Sequence, residues 1–191
     1  ERGGIIMAEY YFMSQLPSLD GVSENMALPI TEERFFELCQ RFLGEKAWGE
    51  MSKLTLTPPK GYEKSTSDLV DAWYRYERDL RLALAKVRAD KMKKTFDAEN
   101  RQFSVDLMKV ARTAVEMESP LEAEKFLNQY RLDILEMLRP MNSFSEEAVF
   151  YYGLKLKLIS RMRQFNADIG EAAYKNIYNS IMNGERSEVI Q

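Results

Sequence analysis

Between Leu69 and Val87 the apolar residues return every three or four positions, at Leu69, Trp73, Tyr76, Leu80, Leu84 and Val87. That spacing is the period of an α-helix, sustained for about five turns, far beyond the length of an ordinary strand. A helix of this reach must lay its apolar stripe against other helices, so the pattern points to an all-α, antiparallel multi-helix bundle. The chain has 191 residues, 45% hydrophobic and 30% charged, a composition that builds a core without staples. Its size suits one domain, or one domain with an appended arm.

Start and stop signals divide the rest. The aromatic run Tyr10 to Pro17 reads as an extended N-terminal arm, and Thr31 as the N-cap of a helix carrying Phe35, Phe36, Leu38, Cys39, Phe42 and Leu43. Gly44 is its expected stop. From Met51 to Tyr62 the periodicity fails around Pro58, Pro59 and Gly61, giving a connector and a seam. Ser65 with Asp68 resembles a capping box for the long helix, which is expected to run to about Ala98. A helix over Phe103–Met117 follows, with Leu107, Met108, Ala111, Ala114 and Val115 inward. Ser119-Pro120-Leu121-Glu122 joins an N-cap serine, a proline at N1 and a glutamate at N3, opening a helix that stops at Pro140. Ser143 and Glu146 repeat the box before a helix over Ser145–Phe165, and a last helix is expected over Asp168–Asn183, ending at Gly184. The organisation is therefore 1–61 as arm, one helix and connector, 62–184 as the bundle, and 185–191 as a frayed tail, within one structural domain. The natural start is expected at Met7, and no secretory signal precedes it.

The residue inventory excludes most catalytic chemistry. The chain has no histidine, which removes the commonest general base and metal ligand, and with them zinc sites and Ser-His-Asp or Cys-His arrangements. One cysteine, Cys39, rules out an internal disulfide; it lies among apolar residues as a buried structural thiol and fits a reducing compartment. Neither Gly-x-Gly-x-x-Gly nor a Walker-type Gly-Lys-Ser/Thr stretch occurs, so nucleotide binding is not expected. The apolar runs are a few residues long, too short for direct membrane insertion. The expectation is a protein that is not an enzyme and holds no cofactor or metal.

Two charges sit where charges are costly. On the Ser145–Phe165 helix, Leu154, Phe165, Leu158, Tyr151, Met162, Ala148, Ile159, Tyr152 and Leu156 sweep an arc of roughly 200°. Such a helix is either central in the bundle or shared with a partner. Lys155 projects from the middle of that arc, and Arg131 from the apolar side of its own helix between Leu135 and Leu138. Each needs a carboxylate or an escape to water, and Glu77, flanking the long apolar stripe, is the first candidate partner. Residues 1–50 hold nine acids and four bases, a net of −5, whereas 75–101 hold nine bases and five acids, a net of +4. Arg78, Arg81, Arg88, Lys91, Lys93 and Lys94 thus form either a solvated face or a docking face for an acidic protein partner. The overall net charge of −3 argues against a nucleic-acid binder.

Four segments together carry a resemblance: Tyr10-Tyr11-Phe12 through Leu19; Ala72 to Arg81; Ser119 to Glu124; and Tyr152 to Leu158 with Phe165-Asn166-Ala167. In order and spacing they are similar to a bacterial family of undescribed function whose genes lie among those of V/A-type ATPase subunits. The chain is also distantly like the C (or d) connector subunit of V-type ATPases, though shorter than such connectors. The resemblance implies a cytoplasmic helical protein that works with a V-type ATPase at the inner membrane face and contacts its stalk or rotor subunits. It supplies no catalytic or ligand residues. The expected function is a non-catalytic accessory, connector or assembly subunit of that ATPase, the alternative being a free-standing cytosolic helical adaptor or regulator.

Overall fold

The computed structural model describes residues 11–22, 25–61, 63–96 and 101–164, and these are helical or irregular, without a strand. The helices are α1 (Glu32–Phe42), α2 (Glu45–Met51), α3 (Asp68–Lys91), α4 (Val105–Glu116), α5 (Pro120–Met137) and α6 (Glu146–Gln164). They pack as a bundle in which α4 lies on α3 and α5, while α6 touches α1, α2, α3 and α5. The helix expected over Asp168–Asn183, Phe165 of the wide arc and the tail lie outside the described residues.

Local chemistry sets the boundaries. Thr31 Oγ1 accepts the Arg34 amide at 3.2 Å, and Glu32 and Glu33 occupy the positive end of α1. Ser119 Oγ accepts the Glu122 amide at 3.3 Å with Pro120 at the start of α5. Five boundaries differ from expectation. Residues 11–15 are helical rather than extended, because Pro17 restricts only Leu16 and the chain upstream of it can coil. Gly44, at φ −64, does not close α1 in a left-handed cap but serves as N-cap of α2, a second helix in the N-terminal part. The cap of α3 is Ser67, whose Oγ accepts the Val70 amide at 3.1 Å; Ser65 instead donates its hydroxyl to Glu50. Likewise Ser145, not Ser143, caps α6, accepting the Ala148 amide at 3.3 Å.

The far end of α3 stops at Lys91, short of Ala98. Lys93 takes φ 53, its amide bonds Asp90 O at 3.1 Å, and the Lys94 amide bonds Ala89 O at 2.9 Å. That pattern is a Schellman close with lysine in the left-handed position glycine usually fills.

Two apolar clusters result. The larger gathers Phe12, Phe35, Cys39, Met51, Trp73 and the body of α6; the smaller gathers Leu80, Leu84, Leu107, Ala111 and Leu127 from α3, α4 and α5. Within the first, Phe12 stacks between Phe42 and Phe35 at 5.5 and 6.3 Å, and Phe35 stacks on Tyr152 at 5.1 Å. Helix α6 is central: every residue from Ala148 to Leu156 is buried. At Gly153 an added Cβ would stand 3.1 Å from both the Phe35 ring and the Leu54 side chain, so glycine lets these elements approach closely. The connector is pinned rather than loose, since Trp73 Nε1 donates to Leu56 O at 3.1 Å and the Thr55 amide donates to Tyr74 Oη at 3.2 Å.

Candidate functional site

Helix α3 turns a charge inward and an aromatic outward. Tyr76, placed on the apolar stripe by spacing, is 43% exposed, whereas Glu77 is 3% exposed. The reason stands opposite on α5. Arg131, 6% exposed, grips Glu77 with two parallel bonds, Nε to Oε2 at 2.9 Å and Nη2 to Oε1 at 3.2 Å. Arg81 adds a third from the solvent side, Nε to Oε1 at 2.7 Å. The outer nitrogen of Arg131 reaches Asn128 Oδ1 at 3.0 Å and Glu124 Oε1 at 3.4 Å, and Glu124 also receives Arg161 Nη2 at 2.6 Å. The ladder Arg81, Glu77, Arg131, Glu124, Arg161 thus ties α3, α5 and α6 together by bidentate geometry. Its buried members have no open face, so its chemistry is structural.

Lys155 is equally buried at 6% but sits at the edge of a cavity. Its Nζ donates to Asp20 Oδ1 at 2.7 Å and pairs with Glu136 Oε1 at 2.6 Å, with the Tyr151 hydroxyl 3.4 Å away. Arg139 stands beside the same carboxylates, 3.4 Å from Asp20 and 3.8 Å from Glu136, its guanidinium 5.7 Å from the centre of the Tyr151 ring. The charges perturb one another. The ammonium of Lys155 and the nearby Arg139 hold the Asp20 carboxyl below its usual range. Burial opposes ionisation of Glu136, but bonds from Lys155 and the Tyr151 hydroxyl outweigh it and keep that carboxyl low as well. For Lys155 burial likewise works against the charge, and its two carboxylates overcome it and raise the pKa. Burial, then the bond to Glu136, pushes the Tyr151 phenol up to about 12. Every member is therefore held in the form its partners require at neutral pH. Of the sequence's candidates, Glu77 goes to Arg131; Lys155 goes to Asp20 and Glu136, which helical pattern did not single out.

The cavity has a volume of about 300 Å³. Its walls come from the segment 13–20, the turn after α5 and the first turns of α6, with Leu16, Leu19, Pro140, Phe144 and Tyr152 as apolar surface and Lys155, Arg139 and Asp20 as its ionised groups. The Tyr152 hydroxyl donates to Pro17 O at 2.8 Å. Cys39, at 0% exposure, has its thiol pushed strongly up by burial, which leaves it inert toward thiolate chemistry.

Of the nine cations in the charged segment, the six expected to form the face (Arg78, Arg81, Arg88, Lys91, Lys93 and Lys94) are exposed on or just beyond α3. They are not all idle: Arg81 serves Glu77, and Lys91 Nζ donates to Val115 O at 3.1 Å. Arg88, Lys91 and Met92 border a cleft of about 470 Å³ with Val115, Pro120 and Leu127 opposite, and Met92 and Phe96 are 59% and 39% exposed. Among the described residues no group of three cysteine or carboxylate side chains is placed to hold a metal ion. None of the described helices is long and apolar enough to cross a membrane.

No curated protein and no solved structure matches the chain. A family match begins at residue 97 and takes in α4, α5 and α6 while leaving α1 to α3 outside it, so it includes the segments from Ser119 and from Tyr152 but neither of the two N-terminal ones. Residues 97–185 are similar to the family described as protein of unknown function (DUF2764).

Proposed function

We propose that the chain is a non-catalytic accessory, connector or assembly subunit of a V-type ATPase, acting through helix-face contacts with a stalk or rotor subunit. The observation that carries the docking half is the exposed basic end of α3, where Arg88, Lys91, Lys93 and Lys94 surround the exposed Met92 in a chain whose net charge is −3. Positive charge around an apolar contact suits an acidic partner surface: the charge steers association and the methionine adapts to the partner's relief. The ATPase half is supported by the resemblance across the four segments. Deleting the gene should lower assembled V-type ATPase and its coupled pumping without lowering ATP hydrolysis by the isolated catalytic head. Reversing charge at Arg88, Lys91, Lys93 and Lys94 together should abolish co-purification of stalk or rotor subunits with the tagged chain while leaving its circular dichroism unchanged. ATP turnover by the purified chain would overturn the proposal. Recovery of an unrelated partner in place of ATPase subunits would favour the free-standing adaptor.

A further inference from the structure

The cavity beside Lys155 goes beyond a docking role. At about 300 Å³ it is at the small end of the range that ligand sites occupy. Its lining sets two cations, Arg139 and Lys155, against one carboxylate, Asp20, inside walls that are mostly apolar but include Ser14, Ser18 and Ser143. Glu136, the second anion of the cluster, holds Lys155 Nζ at 2.6 Å without forming part of that lining. Counting Glu136 the cluster is neutral with Asp20 in place, and moving Asp20 away leaves one positive charge in excess at the cavity wall. Asp20 differs from the group it binds: its side chain is 57% exposed while that of Lys155 is 7% exposed. It lies on a turn just before Gly21, which adopts φ 75. Swinging Asp20 outward returns one carboxylate to water and leaves Lys155 still paired from behind by Glu136.

We propose that this cavity binds a small carboxylic acid with an apolar body, whose carboxylate takes the place of Asp20 against Lys155 and Arg139. The body then lies along Leu16, Pro140, Phe144 and Tyr152. With Asp20 displaced, the two cations face Glu136 and the ligand, and the cluster is again neutral. A volume of 300 Å³ accommodates about ten water-sized groups at roughly 30 Å³ each, which is the heavy-atom count of octanoate. Exchange of one carboxylate for another conserves the charge-assisted bonds, so the apolar contact supplies the net gain.

The test is calorimetric titration of the full chain with octanoate, with octan-1-ol and octylamine as length-matched controls. Octanoate is expected to bind one to one, and neither control should bind in the same concentration range. Asp20→Asn removes the internal competitor and should tighten octanoate by about tenfold, whereas Arg139→Gln, at a half-exposed position, should weaken it by about tenfold. Circular dichroism on each variant separates these effects from loss of fold. The proposal is overturned if octanoate binds neither wild type nor Asp20→Asn. It is overturned equally if octan-1-ol binds as tightly as octanoate, or if folded Asp20→Asn binds no better than wild type.

Discussion

Glu77 can sit at 3% exposure in a helical core only because Arg131 and Arg81 meet both of its oxygens. Desolvating a carboxylate costs several kcal/mol, and paired guanidiniums return most of it without much surplus. Loss and replacement should therefore differ sharply. Glu77→Gln leaves Arg131 buried against a neutral amide and should cost about 3–5 kcal/mol in a urea titration. Arg131→Met should cost less, since Arg81 still neutralises Glu77 from the solvent side. The double variant Glu77→Leu with Arg131→Met should recover most of the loss, as apolar replacement of a buried pair often does. A double variant as unstable as Glu77→Gln alone would mean that the ladder through Glu124 and Arg161 matters more than the pair. The Lys155 cluster makes a separate prediction in pH. Asp20 and Glu136 have folded pKa values held below their ordinary 3.8 and 4.5. Each contributes stability above its ordinary value, and that contribution fades as pH falls through the lowered folded value. The gap in stability between wild type and Glu136→Gln should thus be full at neutral pH and close as pH falls below 4.5 through the lowered folded value. A gap that stays constant through that range would show that the Glu136 charge is not what stabilises.

At the scale of the element, α3 is governed by partners its own sequence does not contain. Glu147 on α6 accepts from Ser67 Oγ at 2.8 Å, the Asp68 amide at 3.2 Å and the Leu69 amide at 3.3 Å, while Glu50 on α2 takes the Thr66 amide at 3.1 Å and the Ser65 hydroxyl. Ser65 reads as a cap from spacing alone, but Glu50 claims its hydroxyl from fifteen residues away and moves the boundary to Ser67. By contrast the start at Ser119 and Pro120 was legible to the residue, because serine, proline and the N3 glutamate act only on their own turn. The short α2 was not legible, as seven residues with Trp48 and Gly49 carry too few turns for a period to show. Arg131 and Lys155 could be picked out because a charge within an apolar arc is visible on one helix. Asp20 could not, since 135 residues separate it from Lys155 and no local pattern links them. The end of α3 was misplaced because no glycine marks it. Lys93 holds a left-handed conformation that costs a side-chain-bearing residue about 1 kcal/mol. Lys93→Gly should relieve it and raise stability by about that amount, read as a rise in thermal midpoint. An unchanged or lower midpoint would show that the lysine side chain contributes something the backbone strain does not outweigh.

Across the whole molecule the two apolar clusters meet along α3, and the Glu77–Arg131 pair stands between Trp73 and Tyr74 of the larger cluster and Leu80 of the smaller. The larger cluster draws on both ends of the described chain, from Phe12 to Ile159, and surrounds α6, so the N-terminal helices share a core with the bundle rather than forming an appendage. The smaller cluster is poorer: among the described residues Ala83, Ala111 and Ala114 make up three of its seven buried members, and an alanine removes little apolar surface from water. Among the described residues, contacts there are made by α3, α4 and α5 and by Phe103 just ahead of α4, all near neighbours along the chain. Local opening should follow that division, because the free energy of opening a segment tracks the apolar contacts it must break. Native-state hydrogen exchange is expected to show the amides of α4 opening well below the global unfolding free energy, while those of α6 from Val149 to Leu158 exchange only on global unfolding. Leu84→Ala should widen the gap, accelerating exchange in α4 and leaving α1 and α6 nearly unchanged until the global limit is reached. Equal opening free energies in α4 and α6, in wild type and variant alike, would mean that the buried charge ladder locks both clusters into one cooperative unit.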